Sequence, residues 1–128
     1  MKNPSLFLSY SHRDKRWADQ FAEALRNAEF DVHQTHDQPA GHDWSAWLRK
    51  TIADSDAVVA VLSDRSELSP YMLFEMGAAD HSGKPIFPVV LGDRPPRLPL
   101  IRTRQSLSGS SPKETARRFA AGFCAKKA

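Results

Sequence analysis

Short, almost wholly apolar runs recur along this chain with amphipathic segments between them, and that alternation restricts the fold more than any other feature. The run Ala57-Val58-Val59-Ala60-Val61-Leu62 contains no polar position, so as a strand it has no face to offer water. A strand of that kind must be covered on both sides, which implies a parallel sheet whose crossover helices lie on both faces. Leu6-Phe7-Leu8 reads as the opening strand, residues 30–33 alternate like an edge strand, and residues 85–91 read as a fourth. Two prolines weaken that fourth strand, although Pro85 can begin it. A short fifth strand is expected near residues 104–107. Between them, residues 14–27 place Trp17, Phe21, Ala24 and Leu25 at helical spacing, and residues 44–53 place Trp44, Trp47, Leu48 and Ile52 on one side. Pro70 suits the first turn of a further helix with Ser69 as its N-cap. Residues 112–125 predict a last helix with Ala116, Phe119, Ala120 and Phe123 inward.

This succession predicts an α/β, flavodoxin-like three-layer fold: a five-stranded parallel sheet in the order 2-1-3-4-5 with helices on both faces. Its switch point lies between strands 1 and 3, and ligands of such sheets bind outside the carboxyl ends there. Strand 1 delivers Ser9, Tyr10 and Ser11 to that edge, strand 3 delivers Ser63 and Asp64, and the next helix carries Tyr71 and Glu75. Glu75 is a lone carboxylate among apolar, small and aromatic neighbours, one turn after Tyr71 and on a face shared with Ala78 and Ala79. Such a group is either a structural ion-pair partner or a functional carboxylate in a pocket. The topology leads to the same residue independently.

A length of 128 residues suits a single domain, 1–128, with a core at about 5–123. The net charge is +3 and the Lys and Arg residues are scattered apart from an enrichment after Arg94, so direct binding of nucleic acid is not expected. Cys124 is the only cysteine, which excludes an internal disulfide and a thiolate zinc site and points to the reducing cytoplasm. No apolar stretch approaches membrane-spanning length, so a soluble protein without membrane contact is expected. Strand alternation puts His33 and His36 on opposite faces, and with His42 they make a poor metal site, so no metal is expected. There is no Gly-rich phosphate loop and no Gly-x-Ser-x-Gly elbow.

Four boxes in order resemble the Toll/interleukin-1 receptor (TIR) domain, and especially its bacterial members. Phe7-Leu8-Ser9-Tyr10-Ser11 followed by Asp14 resembles the first box, and Asp37 through Gly41 to Trp44 resembles the loop between the second strand and helix. Val61-Leu62-Ser63, then Ser69-Pro70-Tyr71 and Glu75-Met76, is similar to the strand-serine, serine-aromatic and glutamate pattern. Pro85 to Val89 resembles the fourth strand. A response-regulator receiver shares the sheet order, but receivers carry an acidic, magnesium-binding cluster where this chain has Ser9-Tyr10-Ser11.

The resemblance implies one of two roles: an enzyme that cleaves nicotinamide from NAD+, by hydrolysis or cyclisation, or a non-catalytic adaptor. Members with NADase activity carry a carboxylate at the position matching Glu75 and an aromatic at that of Tyr71, often tryptophan. Glu75 is therefore expected to be catalytic, in a protein of antiviral defence. Breaking the N-glycosidic bond builds positive charge on the ribose, which one carboxylate can stabilise. Nicotinamide leaves a cationic pyridinium as a neutral molecule, so no second acid is required.

Ser9, Tyr10, Trp44, Ser63 and Tyr71 are the candidate substrate contacts. Tyr10 and Tyr71 would offer ring faces, Trp44 a loop-side cover, and the two serines hydroxyls; Ser9 and Ser63 would equally well cap turns. For Trp44 core packing competes evenly with ligand contact, for Trp47 packing prevails, and Arg13, Lys15 and Arg49 read as exposed helix charges. NAD+ is expected as substrate, with no cofactor. The resemblance also implies TIR–TIR self-association, with filaments as one outcome, through the loop 37–43 that contains Asp37, Gly41 and Asp43. Activation would come from a sensor, fused or separate, that these residues do not contain.

Overall fold

The structure, a computed structural model, describes residues 3–34, 43–63, 70–92 and 107–127, with the backbone alone at 70, 71 and 124–127. Strands β1 (Ser5–Ser9), β2 (Asp31–Gln34), β3 (Ala57–Ser63), β4 (Ile86–Leu91) and β5 (Leu107–Ser108) form one sheet in the order β2-β1-β3-β4-β5. Every pairing is parallel. This is the expected topology, with β1 and β3 flanking the switch point.

Helices α1 (Lys15–Asn27) and α4 (Pro112–Lys127) cover one face of the sheet, and α2 (Trp44–Asp54) and α3 (Pro70–His81) the other. Strand alternation sorts the core accordingly. Leu6, Leu8, Val59 and Val61 meet Phe21, Leu25, Phe119 and Phe123 on the α1/α4 side. Phe7, Val58, Ala60 and Leu62 meet Leu48, Ile52, Met72 and Met76 on the α2/α3 side. β3 is buried from Ala57 to Leu62, as its unbroken apolar run requires.

Local chemistry sets the element ends. A single 3-10 turn, His12–Asp14, leads into α1. Asp43 caps α2, its Oδ1 accepting from the backbone N–H groups of Ser45 at 3.0 Å and Ala46 at 3.5 Å. Glu29, two residues past α1, and Gly83, two past α3, both adopt φ 70°, each followed by a 6→1 backbone bond, Phe30 N–H to Leu25 O and Lys84 N–H to Ala79 O. β5 lies at 107–108, at the end of the segment where a fifth strand was expected.

Pro88 sits inside β4 without costing a bond of the ladder to β3. In a strand, alternate residues turn their N–H and C=O groups to opposite neighbours. Pro85 O accepts from Val58 N–H of β3, and Val90 O accepts from Gly109 N–H beyond β5. Pro88 has the parity of Val90 and so turns its missing N–H away from β3. The ladder with β3 therefore loses no bond to the proline.

Candidate functional site

Glu75 lies on the inward face of α3 between Met72, Met76 and Ala79, and is 2% exposed. Helical spacing aims it at the α2/α3 face of the sheet, where Ser9 ends β1 with the parity of Phe7. Ser9, fully buried, donates its hydroxyl to Glu75 Oε1 at 2.9 Å across 66 positions of sequence. A buried carboxylate needs such donors, because leaving the charge without them costs several kcal/mol. Ser9 thus holds the carboxylate at the carboxyl end of β1.

The other expected contacts divide between the two faces. Trp44, the first residue of α2, packs against the Glu75 side, and its ring lies 5.4 Å from that of Phe74, which is 42% exposed. Trp44 and Phe74 thus form an aromatic pair between the start of α2 and α3. Tyr10 follows Ser9 with opposite parity and packs on the α1/α4 side, where its hydroxyl accepts from Gln34 Nε2 at 3.1 Å. Gln34 is itself buried and donates to Asp19 Oδ1 at 2.9 Å, while its Oε1 accepts from Arg26 Nη2 at 3.3 Å. Ser63, at the end of β3, also faces α1 and donates to Asp14 Oδ2 at 2.9 Å. The switch point therefore gathers Ser9, Tyr10, Ser63 and Glu75 at one sheet edge but places Tyr10 and Ser63 on the opposite layer from Glu75.

Asp14 was present in the sequence only as part of a box, and its role at the edge was missed. The spacing Ser11-x-x-Asp14 is a turn signal that could have marked it. No local signal announces its bond to Ser63, 49 positions away. Asp43, expected in the self-association loop, serves α2 as its N-cap. Lys15 pairs with Asp19 at 2.7 Å within α1, Arg49 bonds Ser45 O at 3.4 Å, and Arg13 is exposed. Trp47 packs edge-on to Phe7, with centroids 6.4 Å apart.

Asp37, Gly41, Asp64, Ser69, His36 and His42 lie outside the described residues, as does the side chain of Tyr71. Among the described residues no group of three or more His, Cys, Asp or Glu residues is placed to hold a metal. Among the same residues no helix is long and apolar enough to cross a membrane. A groove between α1 and α4, walled by Ala24, Ala116 and Ala120, contains none of the expected site residues.

A family model described as TIR domain matches residues 6–121. No curated protein sequence matches the chain. Among solved structures, the TIR domains of the activated Roq1 resistosome directly recognizing the pathogen effector XopQ superpose with a TM-score of 0.60 at 22% identity, over 69% of this chain and 57% of that one. The Clostridium botulinum CMP N-glycosidase BcmB gives a TM-score of 0.64 at 17% identity, over 90% of this chain and 97% of that one. A 2-deoxyribosyltransferase from Bacillus psychrosaccharolyticus gives 0.53 at 15% identity, over 67% and 72%. At these identities the likenesses establish the fold, and the chain spans little more than half of the Roq1 chain.

Proposed function

The chain belongs to the TIR domain family, matched over residues 6–121, and from that premise we propose that it cleaves NAD+ at the bond between nicotinamide and ribose. The observation that carries this reading is Glu75: a carboxylate only 2% exposed, aimed by Ser9, at the sheet edge where ligands of this topology bind. An adaptor has no need to keep a charge there. The same fold is found in a CMP N-glycosidase and a 2-deoxyribosyltransferase, so the scaffold is compatible with chemistry at the anomeric carbon of a nucleoside.

As the C1′–N bond lengthens, electrons leave with neutral nicotinamide and positive charge spreads over C1′ and the ring oxygen. Glu75 stabilises that cation without giving or taking a proton. Water then captures C1′ to give ADP-ribose and a proton, or a nitrogen of the adenine captures it to give a cyclic product. Trp44 and Phe74 form an apolar wall suited to a flat ring. Tyr71, one helical turn before Glu75, is the residue from which a further ring contact is expected. Replacing Tyr71 with Trp should be tolerated, whereas Tyr71→Ala should weaken binding or turnover by about 1–3 kcal/mol, the range of a base-stacking contact.

The protein would act in the cytoplasm in defence against phage, self-associating when a fused or separate sensor triggers it. Incubating concentrated protein with NAD+ and resolving nicotinamide, ADP-ribose and cyclic products by chromatography tests the reading directly. Self-association without any release of nicotinamide would instead assign the chain to the non-catalytic, adaptor branch of the family.

A further inference from the structure

Asp14 begins α1, yet its carboxylate makes no hydrogen bond to the helix it starts. An aspartate at that position ordinarily caps the free N–H groups of the first turn. Here Oδ2 instead accepts Ser63 Oγ at 2.9 Å, from the carboxyl end of β3, and Ser11 Oγ at 3.4 Å, from the segment leaving β1. The residue is half-buried, its backbone N–H donates to Ser11 O at 2.9 Å, and the two serine hydroxyls are the hydrogen bonds of its side chain among the described residues. The carboxylate is thus held by Ser63, and more loosely by Ser11, at the crevice between β1 and β3, and among the described residues no hydrogen bond reaches Oδ1. Two serine–carboxylate pairs straddle this crevice, Ser9 with Glu75 on the α3 side and Ser63 with Asp14 on the α1 side, each at 2.9 Å.

We propose that Asp14 is a second carboxylate of the substrate site, whose Oδ1 accepts a hydrogen bond from a hydroxyl of the nicotinamide-side ribose. The assignment rests on the proposed NAD+ cleavage and follows from charge and hydrogen-bonding capacity. An ionised carboxylate only accepts, so its partner must be a donor. Its charge disfavours the pyrophosphate and favours the half of the ligand that carries the pyridinium and, during cleavage, the ribosyl cation. The ribose hydroxyls are the donors next to that charge. Two serines from different elements hold the carboxylate in one orientation, as a contact selecting a single hydroxyl geometry requires.

The test is a thermodynamic cycle on the full chain. Calorimetry would measure binding of NAD+, and of an NAD+ analogue lacking both hydroxyls on the nicotinamide-side ribose, to Glu75→Gln with and without Asp14→Asn. The expected result is that Asp14→Asn weakens NAD+ about tenfold, the scale of a hydrogen bond to a charged group, and weakens the analogue less than about twofold. Ser63→Ala, which loosens the carboxylate but keeps it, should give a smaller loss with the same preference. Equal weakening of both ligands by Asp14→Asn, or no weakening of either, overturns the proposal, as does an absence of NAD+ binding. Cleavage by the otherwise unaltered chain is measured separately. Ribose-dependent loss in a chain that never releases nicotinamide would uphold the contact and overturn the proposed reaction; cleavage without that dependence would do the reverse.

Discussion

Placing a glutamate 2% exposed between Met72 and Met76 opposes stability, because a carboxylate there loses its water. The Ser9 hydroxyl at 2.9 Å offsets part of that cost and fixes which way the carboxylate points. Two substitutions separate these effects. Glu75→Gln keeps the size and a hydrogen-bonding oxygen but removes the charge, so NAD+ cleavage should fall by at least about a hundredfold while circular dichroism reports an intact fold. A folded variant that cleaves at the original rate would make Glu75 structural. Ser9→Ala leaves the Glu75 side chain in place but removes the Ser9 donor. Urea titration should show a loss of about 1–3 kcal/mol, and turnover should fall more than affinity, because the misaimed charge matters most in the transition state.

Among the elements, the two outer layers are held by contacts of very different worth. α4 docks through Phe119 and Phe123 onto Phe30 and Phe87, with ring centroids 5.5–5.9 Å apart. Phe119→Ala should cost about 3–5 kcal/mol in urea titration, as removal of a buried aromatic from a packed core does. The ion pair that opens the same helix does little. Arg117 holds the Glu114 carboxyl below its usual range by a hydrogen bond, a contribution present above the unfolded carboxylate range and lost as pH falls through the lowered value. Both groups are exposed, so Arg117→Ala should leave the thermal midpoint unchanged. At the end of α1, Glu29 adopts φ 70°, a conformation that glycine takes without a Cβ clash, as Gly83 does for α3. Glu29→Gly is therefore expected to stabilise by up to about 1 kcal/mol, and a lowered thermal midpoint would contradict that account of the helix end.

For the molecule as a whole, the open question is whether one copy suffices. The sheet edge carries Glu75 and Ser9 on one face and Asp14, Ser63 and Tyr10 on the other, so a ligand bound there is approached from β1, β3, α1 and α3 of a single chain. If the loop 37–43 of a neighbour completes the site, specific activity should rise with protein concentration together with particle size in light scattering. Gly41→Pro should then blunt that rise without unfolding the chain. Activity per molecule that stays constant while size changes would leave a self-sufficient monomer.

The division between what the sequence determined and what it left to the tertiary structure follows the range of the forces. Hydrophobic periodicity is local, so the five strands, the helices between them and the order β2-β1-β3-β4-β5 were legible from apolar runs and their spacing. Even the sorting of residues to faces was implicit, because alternation along β1 already sends Ser9 and Tyr10 opposite ways. Glu75 stood out for the same local reason, as a charge where its neighbours are apolar. Its donor did not. The bonds from Ser9 to Glu75 and from Ser63 to Asp14 span 66 and 49 positions, and depend on how far each strand runs before its chain turns and how each helix is rotated over the sheet. Such matters are settled by packing many side chains at once, and no short stretch of sequence contains them.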